Sequence, residues 1–577
     1  METLLAKEIQ KKVNNNQKVT GAEAVILSLL CEGVDVIFGY PGGAIMPIYD
    51  ALYQYREELH HILVRHEQGA VHAAQGFARV SGRVGVCMAT SGPGATNLIT
   101  GIADAKIDST PLVCITGQVA SHLLGTDAFQ ETDVIGISMP VTKWNYQVTT
   151  VEEIPEVIAK AFYIAHSGRP GPVLIDITKD AQFAECEFKY KKCENIRSYH
   201  PVPKINHDHI QQAADLINQA ERPYMLIGQG VILSEAEKEL KTFVEKSGIP
   251  VASTLLGLSA FPPDHELYVG YLGMHGNYGA NILTNECDVL IAIGMRFDDR
   301  VTGDLSTYAK QAKVLHIEID PSEIDKNIKT DVAVNADAKE ALALLTEKVN
   351  ARTFPDWLAK FRDCDKLETE KVINNHIHPG DGAMKMGEVI HLISEKTKGE
   401  AVIVTDVGQH QMSTSRYYKF RSGKSNVTSG GLGTMGFALP AAFGAKLGAP
   451  DREVIAIIGD GGFQMTLQEL GSIFQHKVPV KIVVLNNNFL GMVRQWQQLF
   501  FEKRYSSTEM VNPDFTTIVS GYDITAKKVT EREKLSETID EMLAHQGPYF
   551  MEVVVEKEEN VFPMVPSGAC VTEIRLE

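Results

Sequence analysis

Asp460 and Asn487 stand at the ends of two apolar runs within residues 457–488, IIGDGGFQMTLQELGSIFQHKVPVKIVVLNNN. An aspartate oxygen and an amide oxygen form a hard, oxygen-only pair. Such a pair suits Mg²⁺, which takes few protein ligands and completes its octahedron with phosphate oxygens and water. The elements that must position the pair are legible in the same stretch. EVIAII reads as a buried strand and VPVKIVVL as a second. GDGG breaks the first, because glycine permits turn conformations. FQMTLQELGSIFQ has apolar residues at Phe463, Met465, Leu467, Leu470, Ile473 and Phe474, which is helical spacing. A strand–helix–strand unit of this length is a right-handed parallel crossover, so Asp460 and Asn487 emerge at the same carboxyl-terminal edge. That edge is where open α/β sheets bind ligands. A plainer reading stands beside this one: Asp460 caps the helix and the asparagines make a turn.

At 577 residues the chain is too long for one core, and length alone suggests about four domains. The formal charge of -18 argues against nucleic acid or an anionic membrane surface as main partner. It leaves an anionic substrate open, because local charges decide that. The eight cysteines show no CxxC spacing and read as reduced thiols, which fits a cytoplasmic location. The opening METLLAKEIQKKVNNNQ is polar and carries acids, unlike a secretory signal or a transit peptide. No apolar run approaches membrane-spanning length.

Short apolar runs alternate with helical patterns along most of the chain, which predicts α/β architecture with parallel, doubly wound sheets. Two polar, Pro-containing stretches interrupt the alternation: ECEFKYKKCENIRSYHPVPK, ending at Lys204, and residues 351–382. They suggest three domains, at 18–185, 205–350 and 380–577. The first and third echo each other. GRVGVCMATSGPGATNLITGIADAKIDSTPLVCITG and REVIAIIGDGGFQMTLQELGSIFQHKVPVKIVVLN are each strand, Gly turn, helix, then a strand opened by proline. Two related sheets facing a shared site would fit a cofactor with two chemically different ends.

GDG followed by 24 residues and NN resembles the diphosphate motif of thiamine diphosphate enzymes. The resemblance implies Mg²⁺ on Asp460, Asn487 and the Phe489 carbonyl. It implies thiamine diphosphate against Tyr40, Pro41, Gly42, Val407, Gly408, Gln409, His410, Gly433, Met435, Asp460, Gly461, Gly462, Asn487, Gly491 and Met492. Backbone amides at Gly turns and helix starts suit the diphosphate. Met435 matches the bulky side chain that wedges the cofactor into its bent form; a methionine is otherwise core. In the family a glutamate placed like Glu67 hydrogen-bonds the aminopyrimidine ring nitrogen. A carboxyl in a largely apolar pocket is biased toward its protonated form, as that role needs. Alone, a Glu at a helix start reads as a partner of the helix dipole. In relatives the glutamate and the diphosphate site come from different subunits, which implies a homodimer or homotetramer.

The resemblance covers nearly the whole chain and is nearest to the catalytic large subunit of the biosynthetic acetohydroxyacid synthase (acetolactate synthase) family. IFGYPGGAIMPIYDAL, TSGPGATN, GTDAFQE, SGRPGPVLIDITKD, LGMHG, GMRFDDRVTG, GMVRQWQ and FPMVPSGA carry it. It implies a structural FAD in the central domain, lined by Arg169, Gly228, Gly230, Thr254, Leu255, Leu272, His275, Gly294, Arg296, Asp298, Arg300, Glu318, Ile319 and Asp337. A plain α/β domain without ligand is the alternative there. Trp496 matches the tryptophan that favours 2-ketobutyrate as second substrate; a lone tryptophan is more often core. Arg300 would bind the second keto acid's carboxylate. Phe129, Gln130, Lys179 and Met274 match further lining positions, and Gly43 and Ala44 place backbone near the reacting carbon. The activity implied is decarboxylation of pyruvate and transfer of the two-carbon unit to pyruvate or 2-ketobutyrate. A separate small regulatory subunit and a C-terminal lid are expected by the same resemblance. The nearest rival is pyruvate oxidase, against which GMRFDDRVTG and Trp496 argue. Glyoxylate carboligase lacks the activating glutamate, and a non-catalytic sensor would have Glu67, Asp460 or Asn487 broken.

Overall fold

Runs such as GVCMA, LVCITGQ and VIAIIG are apolar on both alternating faces, so they need cover on both sides. Parallel sheets sandwiched by helices supply it. The computed structural model describes residues 18–577. Residues 1–17, on which the expectation about a signal or transit peptide falls, lie outside them.

A short antiparallel pair, β1 (Lys18–Thr20) and β8 (Glu185–Glu187), ties the two ends of the N-terminal unit. Between them lie β2 (Val36–Gly39), β3 (His60–Leu63), β4 (Gly85–Ala89), β5 (Leu112–Gln118), β6 (Trp144–Val148) and β7 (Pro172–Thr178), in the spatial order β3-β2-β4-β5-β7-β6. The central sheet holds β9 (Pro223–Ile227), β10 (Val251–Ser253), β11 (Tyr268–Tyr271), β12 (Val289–Ile293), β13 (Lys313–Glu318) and β14 (Val332–Asn335), ordered β11-β10-β9-β12-β13-β14. The C-terminal sheet holds β15 (Val402–Thr405), β16 (Asn426–Thr428), β17 (Val454–Gly459), β18 (Lys481–Asn486), β19 (Thr525–Val529) and β20 (Tyr549–Val554), ordered β16-β15-β17-β18-β20-β19.

Counted within each sheet, the first and third share the order 2-1-3-4-6-5, so the sequence echo is a repeat of topology. The central sheet has the order 3-2-1-4-5-6, that of doubly wound dinucleotide-binding folds.

The outer two sheets share a core containing Phe38, Phe77, Phe437 and Phe443. Helices Glu67–Ser81 and Ala438–Gly448 cross there at backbone distance. A Cβ on Gly76 would lie 1.9 Å from the Ala441 carbonyl oxygen, and one on Gly444 would lie 1.9 Å from that of Ala73. The central sheet keeps its own core.

Two local expectations are corrected. Residues 351–382, read as an interruption, contain helix Pro355–Glu368, whose Trp357 and Phe361 are buried against the central sheet. Pro355 opens that helix, where its missing N–H costs nothing, and the Trp357/Phe361 spacing is helical. The central unit therefore runs past residue 350. The single helix expected after β17 is split into Asp460–Thr466, a 3-10 turn at Leu467–Glu469, and Leu470–His476. Gly461 and Gly462 lie inside its first turn rather than in a preceding loop. None of the eight cysteines is bridged. Among the described residues no helix is long and apolar enough to cross a membrane.

Candidate active site

β17 and β18 pair in parallel, with Gly459 opposite Leu485, so Asp460 and Asn487 leave neighbouring strands at the same edge. The N-cap of helix Asp460–Thr466 is Gly459, with no side-chain capping bond. The Asp460 carboxylate, one residue further on, faces the N–H groups of Asp460 and Gly461 in the first turn, so part of the plainer reading stands. Its Oδ2 accepts from Asn512 Nδ2 at 2.6 Å. The same amide donates to Asn486 Oδ1 at 3.1 Å and Asn488 Oδ1 at 3.2 Å. Burial pushes the Asp460 carboxyl up to about 6. Asn487 Oδ1 accepts the Phe489 N–H at 3.2 Å, and Asn488 has φ 54°. The asparagines thus also make the turn of the plainer reading.

Beside this edge, Gly408 ends the turn after β15 and caps helix Gln409–Tyr417. Gln409 Oε1 accepts from Asn487 Nδ2 at 3.3 Å, and its Nε2 donates to the Glu559 carbonyl at 2.8 Å. A side chain on Gly491 would strike Gln409 Oε1 at 2.2 Å. Those on Gly461 and Gly462 would strike Leu490 at 2.7 Å and Asp406 Oδ1 at 2.5 Å. Burial lowers His410 to about 3, which keeps the ring neutral.

A cavity of about 790 Å³ opens between this edge and the central sheet. Val407, Gly408, Gly433, Met435, Met492 and Trp496 line it from the C-terminal unit. Met274 lines it too, as does every residue that the resemblance gave to FAD. The order of the central sheet reverses between β9 and β12, which is where such folds open a crevice. Gly228 follows β9 and Gly294 follows β12; a Cβ on Gly228 would lie 2.2 Å from the Gly294 carbonyl oxygen. Glu318 ends β13, and burial pushes its carboxyl up to about 7. Asp337 accepts the Lys339 N–H at 2.9 Å as a helix cap. Arg169 is held by Asp320 at 3.0 Å and Glu323 at 2.7 Å. Met274 donates its N–H to the Arg300 carbonyl at 2.7 Å, and the Arg300 side chain remains 58% exposed. Trp496 is half-buried at the cavity wall, beside Phe500, and not in a core. The C-terminal tail docks here as well, the Val565 N–H donating to the Met274 carbonyl at 2.8 Å.

The remaining candidates gather at the matching edge of the N-terminal sheet. Tyr40, Pro41, Gly42, Gly43 and Ala44 follow β2, and Glu67 opens the helix after β3. Glu67 Oε2 accepts from Asn97 Nδ2 at 3.0 Å. A Cβ on Gly42 would sit 2.5 Å from Thr90, whereas one on Gly43 would meet open space. Gln130 has φ 61°, Phe129 is 89% exposed, and Lys179 opens a short helix after β7. None of these residues lines the cavity. Asp460, Gly461, Gly462, Asn487, Phe489, Gly491, Gln409 and His410 do not line the cavity either, but they adjoin its wall: a Cβ on Gly461 would lie 3.6 Å from Met435 Cε, and Asn487 bonds Gln409 next to Gly408.

The donor chemistry fits the implied groups. One carboxylate, one amide oxygen and one main-chain carbonyl suit Mg²⁺. No cluster of three or more His, Cys, Asp or Glu side chains offers a different metal centre among the described residues. The cavity's glycine-bounded switch point, with arginines and an acid at a strand end, fits a dinucleotide. Asn97 and Asn512 were missed by the sequence reading. An isolated asparagine carries no local signal, and both matter only through partners 30 and 52 residues away.

Family models for thiamine pyrophosphate enzymes match in all three units: the N-terminal TPP binding domain at residues 19–137, the central domain at 210–345 and the C-terminal TPP binding domain at 406–553. The chain is 46% identical over 570 residues to the acetolactate synthase large subunit of Corynebacterium glutamicum, covering 97% of this chain and 90% of that one. It is 45% identical over 559 residues to the acetolactate synthase isozyme 2 large subunit of Escherichia coli, covering 96% and 99%. A probable acetolactate synthase large subunit of Methanocaldococcus jannaschii is 46% identical over 563 residues, covering 96% and 95%.

Proposed function

The chain belongs to the acetolactate synthase large-subunit family of thiamine pyrophosphate enzymes, and we propose that it decarboxylates pyruvate and joins the two-carbon unit to a second 2-keto acid. The products are 2-acetolactate from pyruvate and 2-aceto-2-hydroxybutyrate from 2-ketobutyrate, the first common step of branched-chain amino acid biosynthesis. One observation carries the reading most: Asp460 and Asn487 leave adjacent strands beside a cavity walled by Met435, Trp496 and Arg300.

Bound thiamine diphosphate supplies the carbon nucleophile and the electron sink for decarboxylation. Asp460, Asn487 and the Phe489 carbonyl would hold Mg²⁺. Gly408, Gln409, His410 and the first turn at Gly461 and Gly462 would take the diphosphate end, since first-turn N–H groups have no acceptor within their own helix. Met435 would pack against the cofactor from the cavity wall. Glu67 would hold a proton at the aminopyrimidine ring nitrogen. The Arg300 guanidinium would orient the second keto acid by its carboxylate. Trp496 would favour 2-ketobutyrate, since an extra buried methyl gains about 0.8 kcal/mol. Gly43, Phe129, Gln130, Lys179 and Met274 would complete the pocket, and the docked tail would help exclude water.

FAD would lie along the central switch point as a structural group. Glu67 stands apart from the cavity in its own chain, which supports a homodimer or homotetramer whose sites each draw on two copies. The relatives' "large subunit" names support a separate small regulatory subunit. The reading further takes domains at 18–185, 205–350 with its added helix, and 380–577, and a cytoplasmic location.

The test is anaerobic product analysis by NMR with thiamine diphosphate, Mg²⁺, FAD, pyruvate and 2-ketobutyrate. A dominant acetohydroxybutyrate signal is expected. Acetate with reduced flavin would move the assignment to a pyruvate oxidase.

A further inference from the structure

The turn that carries Glu67 is held from outside its own domain. The Leu63 N–H donates to His476 Nε2 at 3.0 Å, and the Leu63 carbonyl accepts from Ser472 Oγ at 3.0 Å. The Arg65 N–H donates to both Glu469 carboxylate oxygens, at 3.0 and 3.2 Å. Ser472 Oγ braces that carboxylate at 2.7 Å. Glu469 is fully buried and fills the space beside Gly69, where a Cβ would lie 2.6 Å from its Oε1. The reverse fit completes the joint. Arg65 lies over Gly471, whose Cβ would be 2.8 Å from Arg65 Nε, and its guanidinium donates to the Gly471 carbonyl at 3.0 Å and Gln475 Oε1 at 2.8 Å.

The loop that leads to Gly433 and Met435 is held the opposite way round, by the N-terminal domain. Asp108 accepts the N–H groups of Gly430 at 2.8 Å and Gly431 at 2.7 Å, and Arg79 binds it at 2.9 Å. Asp104 accepts from Thr434 Oγ1 at 3.0 Å and from Ser429 Oγ. Both aspartates are fully buried. The two joints are topological equivalents. Glu469 lies between β17 and β18, and the aspartates lie between β4 and β5, each the third-to-fourth crossover of its sheet. Each grips the turn after the other sheet's second strand, β3 or β16.

We infer that Glu469 and Asp108 are positioning residues, forming reciprocal clamps by which each thiamine-binding domain sets the other's functional turn: Glu469 that of Glu67, Asp108 that of Met435. The inference rests on the roles proposed above for Glu67 and Met435. Buried carboxylate-to-amide bonds suit this task, because they fix main chain rather than a mobile side chain.

The test uses the full chain with Glu469→Gln and, from the other side of the joint, Gly69→Ala, whose methyl would displace the carboxylate. In the cofactor-free protein, amide hydrogen–deuterium exchange of a peptide spanning 63–71 is expected to quicken at least about tenfold, with other regions unchanged. With cofactor bound, exchange of the thiazolium proton is expected to slow by about tenfold or more, as small misplacements of catalytic groups do. Thiamine diphosphate affinity is expected to stay within about threefold, because the groups proposed for the diphosphate are untouched. Asp108→Asn is expected to quicken amide exchange at 429–435 instead and to weaken cofactor binding. Should Glu469→Gln not fold, Glu469→Asp, one methylene shorter, carries the same expectation. Unchanged amide exchange at 63–71 overturns the clamp. Faster amide exchange with normal proton exchange, while Glu67→Gln is slow, overturns positioning alone. Normal proton exchange in Glu67→Gln would overturn the Glu67 role and this inference with it.

Discussion

The N-terminal and C-terminal sheets have one topology and two surfaces. At the C-terminal sheet's ligand edge Asp406, Gln409, His410, Asp460 and Asn487 are all buried. At the equivalent N-terminal edge Tyr40 is 41% and Phe129 89% exposed, and Gly43 faces open space. A buried polar edge is complete within its own chain and suits a charged diphosphate and metal. An exposed aromatic edge around one carboxylate is open to a partner and suits a flat, weakly polar ring. On the proposed reading the same strand order would serve opposite ends of one cofactor, because strand order fixes only where the edge lies and not what lines it.

Breaking each edge separately should give different losses. Glu67→Gln is expected to lower turnover by roughly 10²–10⁴ while leaving metal-dependent cofactor binding intact; equal turnover at saturating cofactor would remove the distinction. Asp460→Asn should act at the other edge, weakening Mg²⁺-dependent cofactor binding by about tenfold to a hundredfold, read by titration with fluorescence quenching.

The shared core is the next place to press. Gly76→Val puts a side chain where the Ala441 carbonyl already lies, and is expected to cost at least about 1–3 kcal/mol in chemical denaturation. A loss confined to one sheet would show that the two edges are not mechanically joined.

Asp406 sharpens the contrast in burial through pH. Burial raises its carboxyl to about 6, against backbone bonds from Ala438, Val407 and Gly436 that favour the charged form. The folded state holds this proton where the unfolded chain has released it, so this group lowers stability as pH rises from about 4 to about 6. Asp406→Asn removes that dependence. Its melting temperature should fall less than the wild type's between pH 4.5 and 6.5, whatever its absolute value. The smallest effect is expected at the cavity wall. Trp496→Leu should erode preference for 2-ketobutyrate by about fourfold, the equivalent of about 0.8 kcal/mol, with acetolactate formation retained; competition between the two keto acids measures it.

Much of this was legible in one dimension. Apolar runs, glycine turns and the 24-residue interval before the asparagine pair located β17, β18 and the residues at their ends. Local patterns of this kind survive folding because parallel strands and crossovers follow from periodicity and handedness. The central-sheet candidates came from the family resemblance, their glycines and strand-end acid leaving a ligand-free domain open, and the structure brings them to one cavity. Residues 351–382 were misread because a proline and many charges outweighed the spaced Trp357 and Phe361, which only packing reveals as a core face.

The order of residues along the chain, then, was enough to determine the α/β class, the repeated units and which residues stand at the strand ends, because these depend on neighbours within a few residues. It could not reveal that Asn512 holds Asp460, that Asn97 holds Glu67, or that Glu469 and Asp108 bind turns more than 300 residues away. Nor could it show that Glu67 stands outside the cavity of its own chain. The two asparagine contacts arise from loops folding back within one unit, and the two clamps arise where the outer sheets pack together through Gly76 and Gly444; in each case a buried carboxylate must find its donors wherever packing brings them.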